Sequence, residues 1–280
     1  MIGFFNWLSD KEEVQREEIY IEKNANFSNF KKITDFIYEK SGIIDLDKRA
    51  LTSSRLQQYA ISEDIYTTDE FLRIIQNREE FYQEVINIAT VNETFFFREI
   101  KELEWLVQYI KNSYTNFKIL SMPSSSGEEV YSILILLSEA GVDLNKIEIN
   151  GFDINSNAVK NSMRGEYDEH SLHKLDIKIR DKYFRHNEEG HYEIDSSIKS
   201  HANFFQNNIF NLDAQSGKYD IVLSRNMFIY FDDEKRKEAL SIIINLLKQN
   251  GIYIKGHADH IKPTSELKNI LFGIYEKNSL

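Results

Sequence analysis

FKILSM (residues 117–122), PSSSG (123–127), a helical run from Glu128 to Ala140, and KIEINGFDI (146–154) follow one another directly. A short apolar run, a small-residue loop, an amphipathic helix and a second apolar run make one βαβ unit. The rhythm continues with a helix over Asn155–Arg164, a strand at YDIVLS (219–224), a helix over Asp232–Gln249 and a strand at GIYIKG (251–256). Strands alternating with helices of this length predict a parallel sheet covered on both faces. The stretch from about 186 to 202 breaks the rhythm and reads as a small β insert, a hairpin in its simplest form.

Upstream the pattern is helical. Phe27, Phe30, Ile33, Phe36 and Ile37 recur at spacings of three and four, and Ser41-Gly42 supplies a stop. Further helices are expected from Asp47 to about Ala60, from Asp69 as N-cap through Ile75, and over Glu79–Ala89. A connecting helix follows over Glu99–Asn112. The expected organisation is a charged lead-in (1–26), a small all-α domain (27–97), a connecting helix (98–116) and an α/β domain (117–280).

Composition narrows the function. Lys and Arg number 34 against 45 Asp and Glu, a net charge of -11. Proteins that hold phosphate backbones usually carry the opposite sign, so nucleic acid is not an expected partner. The absence of cysteine removes disulfides, thiolate zinc sites and thiol nucleophiles, and fits a reducing cytoplasm. No apolar run reaches the ~18 residues of a membrane span, so no direct membrane insertion is expected. MIGFFNWLS (1–9) lacks the cationic flank and cleavage site of a signal peptide. It reads as a terminal segment packed on its own chain or partly disordered, or else as a peripheral anchor or partner-docking segment. His257 with His260, and His170 with His173, have spacings that suit zinc but lack further clustered ligands; no metal is expected.

In an open α/β sheet, ligands sit beyond the carboxyl ends of the strands. The first such end, Ser121–Glu129, has one glycine and neither GxGxxG nor GxxxxGK, which argues against a dinucleotide or triphosphate. Asp153 ends the second strand, 26 residues beyond Gly127, near the ~20 expected of an acid that accepts ribose hydroxyls. It reads equally as the N-cap of the following helix. Arg225-Asn226-Met227 ends the third, where a polar pair after an apolar strand must bind or cap something. Asp232 reads as a helix cap. Asn92–Glu99 (NETFFFRE) suits a lid, or buried packing for its three phenylalanines.

These segments carry a resemblance. SGIIDLDKRALTSSRL, TVNETFFFRE, SSSGEEVYSI, GFDINSNAVKNSMRGEY, KYF, NNIF, YDIVLSRNMFIYFD and LLKQNGIYIKGHAD stand in order from about Phe27 onward, and the sequence resembles the CheR family of chemotaxis receptor methyltransferases. The resemblance implies a Rossmann-like S-adenosylmethionine-dependent methyltransferase domain with a small β insert, preceded by a small all-α domain. It implies methyl transfer to receptor glutamates, with S-adenosylhomocysteine as product. Family cofactor contacts fall on Asn92, Thr94, Arg98, Glu129, Asp153, Asn208, Ile209, Arg225, Asn226 and Met227. Arg98 and Tyr230 fall where the family places residues close to the transferring methyl.

The implied partner is the cytoplasmic domain of a methyl-accepting chemotaxis receptor, met by a monomer in the cytoplasm. Receptor recognition would involve Lys48 and Arg55 on the basic second helix, although the stretch after Leu56 (QQYAISED) is no longer basic. The insert keeps only Gly190 of the glycines that accompany peptide tethering in some members, the loop carries Met122-Pro123-Ser124-Ser125, and GHAD stands where GHSE is usual. A non-catalytic S-adenosylmethionine-binding signalling module is the alternative. Nucleic-acid methylation lacks an NPPY-type motif as well as the charge.

Overall fold

The computed structural model describes residues 25–44, 46, 49–91, 93–113, 115–212, 218–262 and 264–279. The lead-in as far as Asn24, together with Lys48 and Asn92, lies outside the described residues. The chain divides into two compact units, the first ending at Ala89 and the second beginning at Thr90. The segment 90–97, expected to close the helical domain, thus belongs with the second unit.

The described part of the first unit holds four helices, Lys31–Ser41, Ala50–Ser62, Thr68–Asn77 and Glu79–Ala89. Their apolar stripes supply Ile33, Ile37, Leu56, Phe71, Val85 and Ile86, all fully buried. The first helix stops where expected, at Gly42, which adopts φ 75° and returns its N–H to Tyr38 O at 2.8 Å. The third helix corrects the expected cap: Thr67, in extended conformation, accepts from Glu70 N at 3.3 Å. Thr67 and Glu70 have the spacing of a capping box, which Asp69 lacks. Asp69 lies in the first turn and pairs with Lys32 at 2.7 Å.

The second unit is built on a seven-stranded sheet. Its strands are β1 (Phe117–Ser121), β2 (Ile147–Asp153), β6 (Ala202–Gln206), β7 (Tyr219–Ser224), β8 (Leu247–Lys255), β9 (Leu267–Leu271) and β10 (Ile274–Lys277). The order is β6-β2-β1-β7-β8-β10-β9. The first five are mutually parallel, and β10 and β9 join antiparallel. This is the Rossmann-like arrangement, with strand order reversing between β1 and β7.

Both faces of the central strands are covered. Ile119, Ile149, Ile221 and Ile254 pack into one core, and Leu120, Val222 and Tyr253 into the other. Near-continuous apolar strands are the signature of that two-sided burial. The main helices are Ile100–Lys111, Glu128–Glu139, Ser156–Arg164 and Asp233–Leu246.

The insert differs from the expected hairpin at 186–202. It is a three-stranded sheet, β3 (Glu166–Tyr167), β4 (Phe184–His186) and β5 (Tyr192–Ile194), in the order β3-β5-β4. It therefore begins some 20 residues earlier, and Ala202 already belongs to edge strand β6 of the main sheet. The helix Ile177–Tyr183, capped by Asp176, interrupts the strand signal between β3 and β4.

Phe96 anchors the start of this unit. It is fully buried, with ring centroids 4.8 Å from Tyr167 and 5.0 Å from Phe184, both edge-to-face. Its N–H donates to Ser171 O at 2.9 Å. Among the described residues no helix is long and apolar enough to cross a membrane. Phe96→Ala is expected to cost about 3 to 5 kcal/mol through a cavity with little room to collapse, measured as a lower urea midpoint for the second unit; an unchanged midpoint would show that the ring is dispensable.

Candidate functional site

The carboxyl ends of β1, β2 and β7 meet at the point where strand order reverses. After β1, Ser121 Oγ donates to Glu129 Oε1 at 2.9 Å, tying the strand end to the helix it leads into. Ser125 takes the left-handed conformation (φ 47°), uncommon for a side-chain-bearing residue, and its N–H donates to Asp153 Oδ2 at 2.7 Å. Gly127 (φ 95°) is required by space as well: a Cβ there would lie 2.9 Å from Ser162 Cβ and 3.0 Å from the Phe204 ring. The hydroxyls of Ser124 and Ser125 are buried and have no hydrogen-bond partner within the protein.

Asp153 is buried at the end of β2 and is not the helix cap. Asn155 caps the helix, accepting from Ala158 N at 2.9 Å. Asp153 instead accepts from backbone N–H groups, among them Asn155 on Oδ1 at 2.8 Å and Ser125 on Oδ2. Burial pushes its carboxyl up from 3.8 to about 6, against the opposing effect of these backbone hydrogen bonds. The Asp153 carbonyl accepts from Asn207 N at 2.9 Å, which brings the end of β6 alongside. There Asn208 caps the one-turn helix Ile209–Asn211 through Phe210 N at 3.0 Å, and Ile209 is buried.

Glu128, the first residue of its helix, is also buried, and desolvation pushes it up from 4.5 to about 7. Its carboxylate accepts from Ser126 Oγ, at 2.8 Å on Oε2, and from Ser171 Oγ at 3.3 Å.

Arg225, after β7, is buried and densely paired. Nη1 donates to Glu129 Oε2 at 2.6 Å, Nη2 to Glu99 Oε2 at 3.3 Å, and Nη2 also to the backbone carbonyl of Arg98. The polar residue after an apolar strand thus holds three segments together, the β7 end, the start of the helix Glu128–Glu139 and the chain at 98–99. Asn226 follows in the left-handed conformation (φ 62°), and Met227 is buried.

Beyond the turn, Tyr230 OH donates to Val91 O at 2.7 Å. Arg98 donates from Nη1 to Glu93 O and lies over the Phe95 ring, 5.9 Å from its centroid. Both side chains named for the transfer step therefore hold the segment 91–98, on which Thr94 is half-buried. Asp232 caps its helix as expected, accepting from Lys235 N at 2.8 Å.

Two groups escaped sequence reading. Glu99 takes φ 47° and joins Arg225 to the backbone N–H of His257, 3.2 Å from Glu99 Oε2. Asp259 accepts from the turn after β7. GHADH showed as a pair of histidines at zinc-like spacing and as a departure from GHSE, with no role given to Asp259. In the structure, His257 Nε2 lies 2.7 Å from Glu102 Oε1. Among the described residues no group of three or more His, Asp or Glu is placed to hold a metal ion. Arg55 is exposed on the helix Ala50–Ser62 of the first unit.

The pocket residues suit a cationic nucleoside. Asp153 offers acceptor lone pairs for hydroxyls, Ser124 and Ser125 offer unspent donors, and the loop has no phosphate-binding glycine run.

Comparison with known proteins agrees. The family model described as CheR methyltransferase, SAM binding domain, matches residues 92–274. A chemotaxis protein methyltransferase of Campylobacter jejuni is 31% identical over 242 residues, covering 85% of this chain and 92% of the relative. Chemotaxis protein methyltransferase 2 of Vibrio cholerae is 32% identical over 87% of this chain and 89% of its own length. The chemotaxis protein methyltransferase of Escherichia coli is 27% identical over 83% and 84%. The chain belongs to the CheR methyltransferase family and is an S-adenosylmethionine-dependent methyltransferase.

Proposed function

We propose that this enzyme methylates glutamate side chains in the cytoplasmic domain of a methyl-accepting chemotaxis receptor, giving glutamyl methyl esters. The observation that carries the reading is the placement of Arg98 and Tyr230. Both grip the segment 91–98, which Arg225 in turn clamps to the β7 end and to Glu129. The names of the relatives support the chemotaxis setting.

Bound S-adenosylmethionine supplies an electrophilic methyl group on a sulfonium. Asp153, Glu129, Asn208, Ile209, Arg225, Asn226, Met227, Asn92, Thr94 and Arg98 are the residues proposed to hold it, with Asp153 on the ribose and Ser124 and Ser125 as further donors.

What the protein must add is placement. A glutamate has a pKa near 4.3 and is already ionised at neutral pH, so no strong general base is needed. In-line approach of its oxygen is orientation work. Arg98 has spent one N–H on Glu93 O, and its guanidinium has five to give. It can fork onto an incoming carboxylate, whose charge is neutralised during transfer and must not be overbound. Tyr230 has its proton on Val91 O, so it acts on the substrate by fixing the rim of the pocket or by turning its hydroxyl from that carbonyl.

The direct test is incubation with methyl-labelled S-adenosylmethionine and a receptor cytoplasmic fragment. Label released as methanol by mild alkali is expected, since esters hydrolyse and methylated amines do not; alkali-stable label would overturn the glutamate reading.

Asp153→Ala is expected to weaken S-adenosylhomocysteine binding by about 1 to 3 kcal/mol, the loss of a charge-assisted hydrogen-bonding group, and unchanged calorimetric affinity would remove Asp153 from the site. Tyr230→Phe should lower turnover about tenfold while affinity for the product stays within about twofold; an undiminished rate would refute its role.

The raised carboxyls also set a pH dependence. Folded Asp153, with a value of about 6, and Glu128, with about 7, hold protons to higher pH than the unfolded chain does. Their contribution to stability therefore falls as pH rises from about 4 to about 7. In thermal melts across that window Asp153→Asn should show a shallower decline than the wild type, and an identical slope would show that Asp153 is not buried as described.

A further inference from the structure

Asp259 is fully buried in the loop after β8, and nothing in the transfer chemistry calls for it. Its carboxylate gathers three backbone N–H groups. Asn226 donates to Oδ2 at 2.6 Å, Gly256 to Oδ2 at 3.0 Å and Phe228 to Oδ1 at 2.8 Å. Two of these donors belong to the turn that carries Arg225, Asn226 and Met227. Asn226 is held at φ 62°, in the left-handed region that asparagine tolerates better than most side-chain-bearing residues.

The loop is itself pinned. Lys255 Nζ donates to Asp259 O at 2.8 Å and to Gly256 O at 3.2 Å. His257 N donates to Glu99 Oε2, so the same loop steadies the acid that pairs with Arg225. There is no slack at the contact: a Cβ on Gly256 would lie 2.7 Å from Asn226 N and 2.9 Å from Asp259 Oδ2. Three converging donors require a group that only accepts, and an ionised carboxylate is the side chain that accepts on both ends. An amide of the same shape would turn an NH₂ against a backbone N–H.

We propose that Asp259 is a positioning residue for the cofactor site, setting the left-handed turn at Asn226 so that Arg225, Asn226 and Met227 face the ligand. This rests on the reading of the pocket given above.

The test is calorimetric titration of the full chain with S-adenosylhomocysteine. Asp259→Asn is expected to raise Kd about tenfold, from the loss of one hydrogen bond to a charged group and the donor clash that replaces it. Gly256→Ala keeps the carboxylate but wedges it from the turn, and should raise Kd several-fold; it decides the matter should Asp259→Asn fail to fold. Ile244→Ala, a buried truncation near the far end of the helix Asp233–Leu246, serves as the stability control. It should lower Tm with Kd within about twofold of wild type.

Wild-type affinity in folded Asp259→Asn, or in Gly256→Ala, alongside weakened binding in Asp153→Ala would overturn the positioning role alone. So would an equal loss of binding in Ile244→Ala, since stability would then account for the effect. Unchanged binding in Asp153→Ala would overturn the pocket itself.

Discussion

The second unit depends on one buried guanidinium. Arg225 sits where an apolar strand ends, and a charge there is tolerable only if its N–H groups are taken. Glu129 and Glu99 supply the counter-charge and the Arg98 carbonyl supplies a further acceptor. Removing one partner of such a pair typically costs about 3 to 5 kcal/mol, because the other charge is left stranded. The geometry follows from that constraint. Glu129 must lie in the first turn of a helix directly behind β1, Glu99 must bend into the left-handed region to reach, and the chain from 91 to 99 is drawn against the strand ends.

Around this clamp the site is built from carboxylates that the fold does not favour in ionised form. Glu128, Asp153 and Asp259 are each pushed up to about 6 or 7 by burial, although each accepts hydrogen bonds. A site of this kind gives up some stability at neutral pH for acceptors held in fixed directions. A ligand that brings hydroxyl donors and positive charge offsets part of that cost, and an anionic one would add to it.

The parallel sheet was legible because its central strands are buried on both faces and read as short apolar runs between helices. Gly42 and Asp232 marked helix ends through chemistry that is local in sequence. Edge elements were not legible: β9 buries one residue, Leu267, of five, so LKNIL carries no periodicity to detect. The insert was misplaced because β3 is two residues long and pairs with a strand more than 20 positions later.

At the site, the strand-end rule located Asp153 and Arg225, since both interrupt apolar strands. Their partners are set by tertiary approach. Arg225 and Glu99 are 126 residues apart, and Asp259 reaches Asn226 across 33, so neither pairing leaves a short-range trace. The capping reading of Asp153 fails because Asn155, two residues on, takes that role.

A crystal structure of the full chain with S-adenosylhomocysteine tests the account most directly. The ligand is expected beyond the carboxyl ends of β1, β2 and β7, its ribose hydroxyls on Asp153, with Arg225 still bound to Glu129 and Glu99. A ligand seated elsewhere, or one that enters this pocket without touching Asp153, would contradict it.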